Sequence, residues 1–232
     1  MLGLLPYSDG FDARLTGRHK FSLQLVAESH LAGRLLDVGS SYGWFEHLMA
    51  DRCDIIGIDP SEEAIAVART NVPHGNFLVA SASDLPFEDR TFDAAVMLEV
   101  LEHLPSGSEM VVLRELRRVL KPGGRLILST PFSHPIAMGF DPAWYFGHRH
   151  YSVGRLRTIF ADAGYSIEAF HVRGAGWELV SVIMLYLFKW VFRAEMPFKA
   201  YFERQREREF LGSRSGISNI FIVASTPRVY TS

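Results

Sequence analysis

Two carboxylates stand at the ends of short apolar runs. One lies in Leu35-Leu36-Asp37-Val38-Gly39-Ser40-Ser41-Tyr42-Gly43-Trp44-Phe45, the other in Gly57-Ile58-Asp59-Pro60. The first stretch reads as a strand that enters a turn of small residues and then a helix. Small residues let a ligand approach the backbone, and the helix start behind them offers free amide donors. Asp59 ends the second run, at the sheet edge beside that turn. Carboxylate oxygens accept both hydroxyls of a ribose, so the pairing points to an adenosine-containing ligand, a feature nicotinamide cofactors share. Each residue also has a plainer reading: Gly39 and Gly43 could simply turn the chain, and Asp59 could cap a helix ahead of Ser61-Glu62-Glu63.

A second set of reactive side chains lies in Phe146-Gly147-His148-Arg149-His150-Tyr151. Histidine suits proton removal near neutral pH, so His148 and His150 are candidate general bases. The competing reading is that the pair and Arg149 pin the loop ahead of Ser152. No carboxylate stands at familiar ligand spacing from them, so no metal is expected. His103 divides between a place near the cleft and a local hydrogen bond at a helix start. The single cysteine, Cys53, precedes an apolar strand and reads as a small packed residue.

The elements that must hold these residues alternate short apolar runs with amphipathic segments, the pattern of βαβ units and a parallel sheet. Strands are expected at Arg34–Gly39, Asp54–Asp59, Asn76–Ala80, Phe92–Leu98, Arg125–Thr130, Tyr165–Val172 and Asn219–Ser225. Helices are expected at Gly43–Ala50, Ser61–Asn71, Ser108–Leu120 and Ser152–Ala163, with Ser61 as an N-cap and Gly164 as a stop. Lys121-Pro122-Gly123-Gly124 turns the chain into the fifth strand. An earlier amphipathic helix, Gly17–Ala32, covers one end of the sheet.

With 232 residues, 48% hydrophobic and 22% charged, the chain can build a sizeable core as one domain spanning 1–232. A formal charge of -2 gives no field that would draw it to a phosphate backbone, so nucleic acid is not an expected partner. One cysteine and the lack of a basic-then-apolar leader in Met1–Gly10 fit a reducing, cytoplasmic setting.

Four segments in order carry a resemblance to the class I S-adenosylmethionine-dependent methyltransferases, in particular the small-molecule branch related to ubiquinone-biosynthesis enzymes. They are the Leu35–Phe45 turn with Gly57–Pro60, then Ala80-Ser81-Ala82-Ser83-Asp84-Leu85-Pro86-Phe87, then Phe92–Leu104, and Leu113–Gly124. The resemblance covers roughly residues 30–172 and the last strand. It implies a doubly wound, Rossmann-like α/β fold: a seven-stranded, mostly parallel sheet of order 3-2-1-4-5-7-6, last strand antiparallel, flanked by helices. It also implies that Asp37, Gly39 and Gly43 shape the methionine pocket and that Asp59 binds the ribose, with Ser41 and Ile58 among the cofactor-binding residues. Ser83 and Asp84 would then bracket the adenine, with Glu99 and Val100 lining the cleft. Ser40 and Ser41 depart from the usual small residue followed by glycine.

Residues 173–216, a helical insertion before the last strand, hold the run Leu179–Phe192, too short to span a bilayer, which needs ~20 apolar residues. As a helix it carries a narrow polar stripe of Glu178, Ser181, Lys189 and Arg193, and the remaining apolar surface must be covered. Pro197 suits a first helical turn, and the mixed charges of Glu203–Glu209 suit a solvated face. Three readings of residues 177–202 compete: a lid over a greasy acceptor, a homodimer surface, and an interfacial helix that makes the protein peripheral to a membrane. The function that follows is methyl transfer from S-adenosylmethionine to a small, hydrophobic or lipid-linked acceptor, with oxygen preferred. The alternative is a non-catalytic S-adenosylmethionine-binding protein acting through a dimer interface.

Overall fold

The computed structural model describes residues 15–31, 33–49, 51–139 and 147–228. The Met1–Gly10 leader expectation, Ala32, Ala50 and Phe146 lie outside the described residues. In chain order the elements are α1 (Gly17–Glu28), β1 (Arg34–Val38), α2 (Trp44–Met49), β2 (Asp54–Asp59), α3 (Glu62–Asn71), β3 (Asn76–Val79), β4 (Phe92–Leu98) and α4 (Glu109–Val119). There follow β5 (Leu120–Pro131), α5 (Pro135–Gly139), α6 (Val153–Asp162), β6 (Ser166–Arg173), α7 (Gly176–Tyr186), α8 (Lys199–Leu211) and β7 (Asn219–Ser225).

The sheet order is β3-β2-β1-β4-β5-β7-β6. The first five strands run parallel, while β7 is antiparallel to both β5 and β6. The chain reverses its winding between β1 and β4, and α/β sheets open a crevice at the strand ends of such a point. Alternate side chains feed two cores. Leu36, Val38, Ala95, Met97 and Leu128 pack under α4 and α6. Leu35, Val96, Ile127 and Phe221 pack under Phe21 and Leu25 of α1, Phe45 of α2 and Phe210 of α8. α1 therefore covers a face of the sheet, not an end. It also stops at Glu28, short of the expected Ala32, where Ser29 caps it and His30 turns left-handed.

β5 starts earlier than its Arg125 expectation. Leu120 already pairs with Phe92, and the ladder resumes at Arg125 opposite Ala94, so Lys121–Gly124 bulges out of a strand instead of preceding it. Thr226 holds the bulge, its amide and hydroxyl donating to the Gly124 and Lys121 carbonyls. Elsewhere β3 ends at Val79, β6 shifts by one residue to Ser166–Arg173, and α2 begins at Trp44. Ser61 Oγ accepts the Ala64 amide at 3.1 Å, and Gly164 follows α6 at φ +80°.

The segment between β6 and β7 is not one helix. α7 gives way to π-helical Leu187–Phe192, which ends on left-handed Arg193, and α8 begins two residues after Pro197. The anticipated polar stripe splits. Glu178 and Ser181 are buried, because Arg206 of α8 binds Glu178 at 2.5 and 2.8 Å, whereas Lys189 and Arg193 are exposed. The apolar far end stays uncovered: Trp190 is 60% exposed, Val191 67% and Phe198 80%.

Candidate functional site

The turn after β1 is shaped by its own backbone. The Gly39 and Ser40 amides both donate to the Ile58 carbonyl, at 2.8 and 2.9 Å, which ties the turn to the end of β2. Gly39 has φ +82°, and a Cβ there would meet Val100 Cγ2 at 2.3 Å, so only glycine fits. Ser41 also adopts positive φ, +48°, a conformation that side-chain-bearing residues hold only when their surroundings enforce it. The enforcer is Asp59: its Oδ2 accepts the Ser41 amide at 3.1 Å and its Oδ1 accepts the Ser61 amide at 2.9 Å. The carboxylate thus anchors the turn and holds Ser61, the N-cap of α3, in place, and its remaining lone pairs are available to hydroxyls.

Beneath the turn Asp37 and Glu46 are buried together. Burial pushes the Asp37 carboxyl well above the usual carboxylate range, and the neighbouring Glu46 raises it further. Burial likewise lifts Glu46 to about 7. Two carboxyls in one apolar space cannot both ionise, so they titrate as a unit. A Cβ at Gly57 would stand 2.2 Å from Glu46 Oε1, so that glycine makes room for the pair.

Above the turn Glu99, at φ +58°, collects three donors. Its Oε1 accepts Ser129 Oγ at 2.6 Å; its Oε2 accepts Arg18 from α1 at 2.8 Å and Asn219 from β7 at 2.9 Å. Burial opposes the charge of Arg18, but Glu99, Glu178 and Glu102 outweigh it, so the guanidinium pKa is raised. Two cavities meet at this arginine. One, of about 180 Å³, is lined by Arg18, Gly39, Ser41, Tyr42, Glu99 and Ser129. The other, of about 160 Å³, is lined by Arg18, His148, His150, Glu178, Val182 and Asn219.

Of the anticipated residues, Gly39, Ser41 and Glu99 line the first cavity, with Val100 packed on Gly39. Asp37 and Ile58 are buried behind it, and Gly43 is buried against Phe77. Ser83 and Asp84 sit apart, exposed on the short Ser81–Asp84 turn after β3, where the Ser83 and Ser81 hydroxyls are 2.8 Å apart. The fit to S-adenosylmethionine rests on these features: a glycine turn that a Cβ would block, a carboxylate at the end of β2, and polar groups converging on Glu99. His148 and His150 face the second cavity, whereas Arg149 turns away and pins the loop through Glu109 at 2.6 Å and the Leu101 carbonyl at 2.9 Å.

Sequence reasoning missed Arg18, Glu46, Glu102 and Asn219. A single turn of 3₁₀ helix at Leu101–His103 brings Glu102 and His103 against His148, with the three ligand atoms within 4.8 Å of one another. His103 and His148 were each singled out in the sequence, but nothing there showed that the fold brings them together with Glu102 across 45 residues.

Residues 36–128 match the family model described as a methyltransferase domain. A Mycolicibacterium smegmatis protein named as a probable S-adenosylmethionine-dependent methyltransferase is 31% identical over 165 residues, 68% of this chain and 63% of that protein. A demethylmenaquinone methyltransferase of Symbiobacterium thermophilum is 35% identical over 140 residues, 54% of this chain and 55% of that protein. The chain thus spans between about half and two thirds of these relatives' length. A SAM-dependent methyltransferase structure from Methanosarcina mazei superposes with TM-score 0.62 at 21% identity, covering 88% of this chain and 98% of that one. The [4+2]-cyclase SpnF gives TM-score 0.62 at 22% identity, covering 90% and 81%. Residues 36–128 are thus similar to a methyltransferase domain, and the sheet order and the glycine turn agree with the resemblance to the class I S-adenosylmethionine-dependent methyltransferases.

Proposed function

We propose that the chain is an active methyltransferase, taking S-adenosylmethionine at the glycine turn and a small, hydrophobic or lipid-linked acceptor in the cavity beside it, with oxygen the preferred atom. The observation that carries this reading is that the two cavities share Arg18, one floored by the glycine turn and the other lined by Pro131, Ala137, Leu179 and Val182 together with Glu178, Asn219 and two imidazoles. Similarity to demethylmenaquinone methyltransferases supports a small-molecule acceptor.

When bound, the cofactor supplies a methyl group on a sulfonium centre. The chain's own tasks are to hold and align the partners and to exclude water. Asp59 holds the ribose hydroxyls, Ser83 and Asp84 meet the adenine edge, and Gly39 admits close approach, backed by Asp37 and walled by Glu99 and Val100. His148 or His150 takes the proton of an acceptor hydroxyl at a ring nitrogen, which leaves the oxygen lone pair free to attack. The uncovered end of the insertion, where Trp190 and Phe198 stand beside Lys189 and Arg193, is read as the part that meets a lipid surface carrying such acceptors.

Titrating the protein with S-adenosylhomocysteine tests the reading. Micromolar binding is expected in the native chain and a loss of roughly 10–100-fold in Asp59→Ala, the scale of losing charged hydrogen bonds. Absence of heat and of thermal stabilisation at millimolar ligand would overturn it. Binding without product across acceptors would instead support the non-catalytic alternative.

A further inference from the structure

We propose that Glu102, His103 and His148 form a site for a divalent transition-metal ion that opens onto the second cavity and holds an acceptor oxygen. The acceptor half of this inference rests on reading that cavity as the acceptor's; the metal half does not.

The first observation is geometric. The two Nε2 atoms of His103 and His148 are 3.3 Å apart, and His148 Nε2 is 3.9 Å from Glu102 Oε1. Nitrogens bound to one zinc-like ion at about 2.0–2.1 Å stand roughly 3.3 Å apart at a tetrahedral angle. The rings are therefore already at ligand separation, and the carboxylate needs only a small approach.

The second observation is the state of Glu102. Its side chain is 0% exposed. One oxygen accepts Thr130 Oγ1 at 3.0 Å, while Oε1 has no hydrogen-bond partner among the described residues. A buried carboxylate oxygen left without a donor is costly, and such a group calls for an explanation such as a bound ion.

The third observation is rigidity. Glu102 and His103 share the turn at Leu101–His103, whose His103 amide donates to the Val100 carbonyl at 3.0 Å. His148 arrives on a loop that its neighbour Arg149 fastens to the Leu101 carbonyl of that same turn. All three ligands are thus fixed to one piece of backbone.

Two imidazoles and one carboxylate favour zinc, cobalt, nickel, manganese or ferrous iron over magnesium or calcium, which prefer all-oxygen shells. Three protein ligands leave a position open, as in catalytic zinc sites, and His148 lines the acceptor cavity, so that position faces it. A metal there favours the deprotonated form of a bound hydroxyl, its proton leaving to water, and fixes the oxygen near the cofactor cavity. Coordination uses the Nε2 lone pair of His148, so ligand and proton acceptor are alternative roles for that ring. The acceptor class follows: a compound presenting a hydroxyl, best with a second oxygen beside it that can chelate.

Chelator-stripped protein titrated with Co(II) should develop saturable visible d–d absorption with one ion per chain, displaced by Zn(II). Glu102→Gln and, as a second variant on an exposed ligand, His103→Asn should each weaken binding by at least the roughly 10–100-fold seen on losing supporting groups around a metal. Thermal melts confirm that each variant is folded. Catechol, with two adjacent hydroxyls, should shift the Co(II) spectrum of the native protein. No saturable absorption, or variants that bind as the native chain does, would overturn the metal site; a spectrum indifferent to catechol would overturn its acceptor role. S-adenosylhomocysteine titration of the metal-free protein reports separately on the methyltransferase reading.

Discussion

Glu46 illustrates how much chemistry one buried residue can set. Its carboxyl, lifted to about 7 from an ordinary 4.5 by burial, keeps a proton in the folded chain that the unfolded chain releases. That contribution to stability is fully present below 4.5 and is lost as pH rises through about 7. His19 runs the other way. Burial, with Arg18 and Arg206, lowers it to about 3 from 6.5, so its contribution is present above 6.5 and lost as pH falls towards 3. Glu46→Gln should therefore raise Tm relative to the native chain at about pH 8 but not at about pH 5, by roughly 1–3 kcal/mol or a few degrees. Equal Tm differences at the two pH values would refute this. Gly39→Ala should cost about 1–3 kcal/mol and weaken S-adenosylhomocysteine binding, since the added Cβ meets Val100 in a left-handed backbone; urea melts and titration read both. Gly39 and Ser41 were legible in the sequence because the strand, turn and helix around them are contiguous, and Asp59 because it ends the next strand, only 18 residues from Ser41. Arg18 was not, because Glu99, its partner, is 81 residues away.

Among the elements, the strands were readable from apolar runs, and their ends were not where pairing decides them, as at Leu120 and the Lys121–Gly124 bulge. The charged run Glu203–Glu209 looked like a solvated face. Three of its members instead make specific contacts: Glu207 with Lys20 at 2.6 Å, Arg206 with Glu178, and Glu209 with the start of α7. Glu209 accepts the amides of Ala175, Trp177 and Glu178 at 2.9, 2.9 and 3.1 Å, capping a helix to which it does not belong. A carboxylate at a helix N-terminus also complements the dipole. Glu209→Ala should cost about 1–2 kcal/mol and speed amide hydrogen exchange over residues 176–186 while leaving β4 protected. Uniform exchange across the chain would show that the cap matters no more there than elsewhere.

At the scale of the molecule, the reversal between β1 and β4 sets the glycine turn and the run after β4 at neighbouring strand ends, and the antiparallel β7 brings Asn219 to them. No described helix is long and apolar enough to cross a membrane. If the tip at Trp190 and Phe192 meets lipid as proposed, replacing both with serine should reduce co-sedimentation with anionic vesicles by several-fold, without changing S-adenosylhomocysteine affinity. Unchanged sedimentation together with a concentration-dependent dimer would assign the tip to a second copy. The close seating of α1 on α8, where a Cβ at Gly17 would meet Phe210 at 2.9 Å, has a practical corollary for protein engineering. If the second cavity takes the acceptor as proposed, grafting residues 176–211 alone should not carry acceptor specificity with it. A working chimera must take α1 along with them, because the helix that delivers Arg18 to both cavities is cut to fit the transplanted part.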